Sequence, residues 1–239
     1  MNDAKIRLYV EHSLGQGQSI ALSREHAHYL FGVMRLSVGA AILLFNGTED
    51  GEWRAEVIEA GKRNGIVKCT LQTQKLQLPP NLWLMFAPIK KSRTDFIVEK
   101  ATEMGVSCIL PVQTDFTNAK RIQLDRLQAH AVEAAEQCGG TFVPRVQDMQ
   151  PFDKALAELG DRQLLFCDEK MVGEKPVMRK TPGPWAILIG PEGGFSKRER
   201  DHLSSLKQSC TISLGPRILR ADTAAVAALT IWQMTLGDW

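Results

Sequence analysis

The chain has 239 residues, room for one large domain or for a small and a medium one. Hydrophobic residues make up 44% and charged residues 23%, a globular balance that excludes a disordered or fibrous protein. A net charge of +2 neither demands nor excludes nucleic acid, so any basic surface must be local.

In chain order, the first part reads as β-rich. Arg7–Val10 is a short strand, and Ser23–Arg35 is a helix that Ser23 can cap. Ala41–Phe45, Trp53–Ile58 and Gly65–Leu71 are short alternating or β-branched runs, parted by the turns Asn46-Gly47 and Asn64-Gly65. This spacing predicts a small antiparallel barrel or sheet of about five strands. Leu78-Pro-Pro-Asn81 then breaks the rhythm.

Beyond the break, apolar runs alternate with helical segments. Strands are expected at 82–86, 108–112, 164–166, 186–189 and 211–214, and helices at 94–104 and 124–138. Ser196-Lys-Arg-Glu199 has the form of a capping box, and Asp222 or Thr223 is expected to cap a last helix reaching about Leu236. Alternation of this kind predicts an α/β domain with a mainly parallel sheet. The last helix is small and apolar almost all round, so it packs inside its own domain or turns one face to another subunit.

Five scattered cysteines without a C-x-x-C spacing argue against a disulfide framework and against a zinc site, so no metal is expected. The five histidines show no pairing with cysteine or carboxylate at ligand spacing; His28 and His130 are read as surface or core residues. There is no signal-peptide core and no run of about 18 apolar residues, which points to the cytoplasm and away from membranes.

In parallel sheets, ligands sit beyond the carboxyl ends of the strands. Three such ends stand out: Phe166-Cys-Asp-Glu169, Gly190-Pro-Glu-Gly-Gly194 and Leu214-Gly-Pro-Arg-Ile-Leu-Arg220. None is a phosphate-binding motif; Gly15-Gln-Gly-Gln-Ser-Ile20 lacks a third glycine and reads as a turn. Glu192, read as lying at the start of a helix, would occupy the place of a ligand phosphate. The loop therefore favours a ligand without phosphate there, and S-adenosylmethionine fits that description.

The blocks His28–Gly39, Lys91–Val106, Glu133–Gly139, Leu188–Gly194 and Leu214–Ala224 are similar to those of the RsmE-type 16S ribosomal RNA methyltransferases of the SPOUT superfamily. The resemblance implies a PUA-like, RNA-binding β-barrel at 1–73 and a SPOUT-type α/β methyltransferase domain at 74–239 with a deep trefoil knot. It also implies S-adenosylmethionine as donor, a homodimer, and N3 methylation of uridine 1498 in the small ribosomal subunit. Two positions depart from the family pattern: Gly140 stands where arginine is common, and Asp222 where glutamate is common.

The donor pocket is then expected from Phe166, Ile189, Gly190, Pro191, Glu192, Gly193, Leu214, Gly215, Ile218, Leu219, Arg220 and Thr223. Uracil N3 is a poor nucleophile until its proton leaves, and Arg220 is the cation expected to stabilise the developing anion. The plainer alternative is that Arg220 pairs with Glu192 or Asp222 and holds the pocket shut. Glu192 is assigned to orienting Arg220, to donor binding or to capping its own helix. RNA phosphates are expected at Arg7, Arg24 and Arg35 of the first part and at Lys90, Lys91 and Arg93 of the second, with Lys120-Arg121 a further candidate. Two other functions fit the same residues: a non-catalytic RNA-binding or assembly factor, and a SPOUT methyltransferase with a different RNA target.

Overall fold

The computed structural model describes residues 4–173 and 181–239. They form two compact units, one made of the chain up to Leu78 together with Ala135–Val143, the other of Pro79–Ala134 and Pro144–Trp239.

The first unit is a five-stranded sheet. Its strands are β1 (Arg7–Tyr9), β2 (Ser19–Ala21), β3 (Ala41–Phe45), β4 (Glu52–Ala60) and β5 (Gly65–Gln74), in the order β1-β3-β4-β5-β2. All pairs are antiparallel except β1 with β3, which departs from the fully antiparallel expectation. Three register shifts between β4 and β5 are the kind of irregularity that bends strands and curls a sheet. Alternate residues, among them Leu8, Ile20, Ile42, Leu44, Ala55, Val57 and Val67, point into one buried core, which Leu30 joins.

The helix expected over 23–35 is shorter and mixed. Ser23 accepts a hydrogen bond from the His26 N–H at 3.1 Å and caps α1 (Arg24–Ala27), and the chain then widens into a π-helical turn, His28–Val33. Gly32 lies against the His28 ring, where a Cβ would come within 3.0 Å of Nδ1. Arg35, at φ 56°, ends the segment in the left-handed region.

The second unit alternates strand and helix. Its strands are β6 (Leu82–Phe86), β7 (Cys108–Gln113), β8 (Arg145–Val146), β9 (Gln150–Pro151), β10 (Gln163–Cys167), β11 (Trp185–Ile189) and β12 (Ser209–Ile212). The helices are α2 (Lys91–Glu103), α3 (Leu124–Cys138), α4 (Phe152–Ala157), α5 (Lys197–Ser205) and α6 (Ala221–Leu236). The order is β12-β10-β11-β6-β7-β8, with β9 also on β7, and every pair is parallel. Continuous apolar runs such as Trp185–Ile189 are buried along their whole length, the pattern of a parallel strand that meets solvent on neither face.

Several boundaries differ from expectation. α2 begins at Lys91 rather than Thr94, and Gly105 ends it at φ +73°. The capping box forms as expected: the Ser196 hydroxyl accepts from the Glu199 N–H and Glu199 accepts from the Ser196 N–H. α6 is not capped by Asp222 or Thr223. Its N-cap is Arg220, whose side chain makes no capping bond, and Asp222 lies in the first turn, where its charge favours the dipole. α6 packs on α2 and β11 through Ala221, Ala225, Ala228, Leu229 and Trp232, while Thr223 and Met234 stay exposed. Among the described residues, no helix is long and apolar enough to cross a membrane.

Candidate functional site

Parallel pairing of β12, β10 and β11 sets Ile212, Cys167 and Ile189 side by side. The three loops beyond them therefore leave the sheet at one edge. They enclose a cleft of about 210 Å³, lined by Cys167, Asp168, Glu169 and Val172 from the first loop. The second loop contributes Ile189, Gly190, Pro191, Glu192 and Gly194, and the third Ser213 to Gly215 and Arg217 to Ala221. Of the residues expected at the pocket, Ile189, Gly190, Pro191, Glu192, Leu214, Gly215, Ile218, Leu219 and Arg220 line the cleft.

Phe166, Gly193 and Thr223 do not. Phe166 is buried beneath the loops, its ring edge-on to Phe195 with centroids 5.4 Å apart. Gly193 faces the loop after β7, where an added Cβ would lie 3.1 Å from Phe116 Cβ. Thr223 sits on the exposed side of α6.

Two of the cleft's glycines are crowded by their neighbours and a third is set by its backbone. A Cβ on Gly190 would come within 3.0 Å of the Phe195 ring, and one on Gly194, at φ +64°, would intrude on the Glu169 carboxylate. Among the described residues nothing crowds Gly215, but it adopts φ +111°, which side chains rarely permit.

Two carboxylates in the cleft are held by a cation that sequence reading missed. Arg200, on α5, places Nε 3.2 and 3.1 Å from the two oxygens of Asp168 and Nη2 2.5 Å from Glu169 Oε1. Its Nη1 also donates to the Phe195 carbonyl, so one guanidinium ties the first loop to the second. The Arg200 and Asp168 side chains are only 15% and 9% exposed. The spacing from 168 to 200 gives no local periodic signal, so only the fold reveals this pair.

Glu199 is likewise more than a cap. It is fully buried, and Oε1 accepts the Asp115 N–H at 2.8 Å, fixing the loop after β7 against the start of α5. The Ser196 hydroxyl, and after it Arg198, hold the Asp115 carboxyl below the usual range. Cys167, buried at the floor of the cleft, has its thiol pushed up to about 12 by desolvation.

Glu192 does not stand at a helix start, as expected from the sequence. α5 begins five residues later at Lys197, and Glu192 is exposed at the cleft. Nor does Arg220 pair with Glu192 or Asp222: Asp222 lies 3.8 Å from Arg93, and Arg220 is exposed with no ion pair among the described residues.

The cations expected to meet RNA divide. Arg7 is withdrawn from that role. Its Nε bonds Glu52 at 2.6 Å, and its other nitrogens donate to the carbonyls of Ala135, Glu136 and Gly140. The guanidinium also lies over the Phe45 ring, 4.4 Å from its centroid, and serves the interior of the first unit. Gly140 thus contributes a carbonyl that Arg7 uses. Arg24, Arg35, Lys90 and Lys91 are exposed, and Arg93 is half-buried beside Asp222. His130, read from sequence as a surface or core residue, lies 3.3 to 3.7 Å from the carboxylates of Asp95, Glu99 and Glu133.

A family model described as an RNA methyltransferase domain matches residues 76–233, and one described as an RNA methyltransferase PUA domain matches residues 22–68. Ribosomal RNA small subunit methyltransferase E of Rickettsia conorii is 32% identical over 93% of each chain. The protein of the same name from Bacillus subtilis is 28% identical over 90% of each. Ribosomal RNA small subunit methyltransferase E of Neisseria gonorrhoeae, solved with S-adenosylmethionine bound, superposes with a TM-score of 0.88 at 26% identity, covering 98% of this chain and 99% of that one. A methyltransferase from Legionella pneumophila, also solved with S-adenosylmethionine, gives 0.89 at 29% identity with the same coverage.

Proposed function

The chain belongs to the RNA methyltransferase family that contains the ribosomal RNA small subunit methyltransferase E proteins, and we propose that it methylates N3 of one uridine, position 1498, of 16S rRNA in the small ribosomal subunit. The fold is the SPOUT-type α/β domain with a PUA-like β-sheet unit before it. The observation that carries the reading is the meeting of three strand-end loops in one cleft with Arg220, which has no ion pair among the described residues, at its edge.

The residues of the cleft fit S-adenosylmethionine. Ile189, Leu214, Ile218 and Leu219 offer apolar walls for an adenine, Gly190 and Gly215 leave backbone open to close approach, and Asp168 and Glu169 suit the cationic end of the molecule. When bound, the donor supplies an electrophilic methyl group on a sulfonium. Holding the uracil in line with it is most of what the protein must contribute. Arg220 stabilises the negative charge on the uracil once N3 has given its proton to solvent; N3 would then take the methyl group as the S–CH3 bond breaks, its electron pair staying with a neutral thioether. Glu192 orients Arg220 or meets the donor. The assignment of 1–73 to RNA binding and 74–239 to a methyltransferase domain with a C-terminal trefoil knot belongs to the same reading.

The exposed flank of α6, with Met234 71% exposed, supports a homodimer, and action on the small ribosomal subunit supports a cytoplasmic enzyme. Lys90, Lys91 and Arg93, at the start of α2, suit an RNA phosphate, since cations there otherwise oppose the dipole.

The test is methyl transfer from labelled S-adenosylmethionine to small subunits from cells lacking the protein, with the product digested and identified by mass. Label in 3-methyluridine at one position supports the reading. Label in another nucleoside, or donor binding without transfer to any RNA, overturns the target or the activity.

A further inference from the structure

With Arg7 committed to the interior, the basic face of the first unit lies elsewhere. The β4–β5 hairpin turns at Gly61-Lys-Arg-Asn64, closed by the Gly61 N–H donating to the Asn64 carbonyl at 2.9 Å. That bond leaves Lys62 and Arg63 at the tip, both exposed. The turn is tied to the helical segment from both sides: Leu22 N–H donates to the Gly65 carbonyl at 2.9 Å, and Gly65 lies so close to the Phe31 ring that a Cβ would meet it. On that segment Arg24 and His28, four residues apart, share one face. The result is a cleft of about 460 Å³ lined by Arg24, Glu25, His28, Lys62 and Arg63. None of its three permanent cations has an ion-pair partner among the described residues.

We infer that this cleft is a binding site for a phosphate of the RNA backbone, with Arg24, Lys62 and Arg63 supplying charge and His28 a ring N–H donor. A pocket bearing three cations and one carboxylate, held open by two elements anchored to each other, carries unspent positive charge on an otherwise nearly neutral chain. An RNA backbone phosphate offers the dispersed anionic oxygens that such a fork-and-point arrangement satisfies. The contact positions RNA without reading its sequence. The inference rests on the proposed RNA methyltransferase activity and adds a place on the first unit where that RNA is held.

The experiment uses the full chain carrying Arg24→Gln, Lys62→Gln and Arg63→Gln together. Binding to purified 16S rRNA is followed against salt, beside S-adenosylmethionine affinity and methyl transfer to small subunits. The variant is expected to lower the slope of log affinity against log salt by about one, and to weaken binding about ten-fold or more at low salt. Donor affinity and melting temperature stay at the wild-type values. An unchanged slope alongside normal wild-type methylation overturns the cleft and leaves the activity standing. A lowered slope in a protein that methylates no RNA supports the cleft and overturns the activity. A wild-type chain that binds no RNA overturns both.

Discussion

The guanidinium of Arg200 spans Asp168, its Nε reaching both carboxylate oxygens at 3.2 and 3.1 Å across 32 residues of sequence. Replacing it with methionine leaves a mostly buried carboxylate unpaired, which costs about 3 kcal/mol. The expected outcome for Arg200→Met is a lower melting temperature and a donor affinity weakened at least ten-fold. In the double variant with Asp168→Asn, part of the stability returns while donor affinity stays low. Calorimetric unfolding and titration with S-adenosylmethionine check both, and wild-type affinity in Arg200→Met refutes the positioning role.

Arg220 has no ion pair among the described residues, so its removal disturbs no salt bridge seen in the fold. Arg220→Ala is expected to lower kcat by about 10²–10³, as when one stabilising donor of a developing anion is lost. KM for the donor changes little. Unchanged turnover at saturating donor and RNA removes Arg220 from the chemistry.

Gly190 is crowded by the Phe195 ring, which an added Cβ would approach to 3.0 Å. Gly190→Val pushes that ring against Phe166, its edge-on neighbour, and distorts the second loop of the cleft. Loss of measurable donor binding in a folded protein is the expected result. Gly215→Ala, which strains a backbone at φ +111° without any clash, is expected to weaken donor binding more mildly.

Cys167 is the cysteine whose thiol is pushed furthest, to about 12. It stays protonated at pH 8 and is expected to resist alkylation in the native state while reacting on unfolding. The raised pKa means the folded chain holds this proton more tightly than the unfolded one. Its contribution is full below the unfolded thiol value near 8.5 and falls as pH rises from there toward 12. Chemical denaturation between pH 8 and 10 checks the sign: Cys167→Ala should flatten the decline.

Much of this was legible in the sequence. The apolar run Leu82–Phe86, the helix Leu124–Cys138 and the Ser196–Glu199 capping box declare themselves over a few residues, and the structure keeps their bounds. Local signals failed where a distant partner decides. Arg7 looked like a surface cation because the three carbonyls it binds lie beyond residue 134, and the Arg200–Asp168 pair left no sequence sign because Asp168 lies on another loop. Ser19–Ala21 is too short to show a strand pattern and is defined by its pairing with β5. The start of α6 was misplaced because Asp222 and Thr223 are good capping residues, yet the chain enters the helix at Ala221 straight from the loop carrying Arg220.

Arg7 also sets an order of events during synthesis. Its acceptor on Ala135 lies 128 residues downstream, and that on Gly140 lies 133 downstream. At about 5–20 residues per second, a ribosome needs roughly ten seconds to supply them. Until then the Arg7 guanidinium has only Glu52 and the Phe45 ring, and the first sheet waits for a segment encoded in the middle of the gene. A nascent chain stopped before residue 135 is therefore expected to leave its N-terminal sheet easily digested by protease, however complete its five strands are.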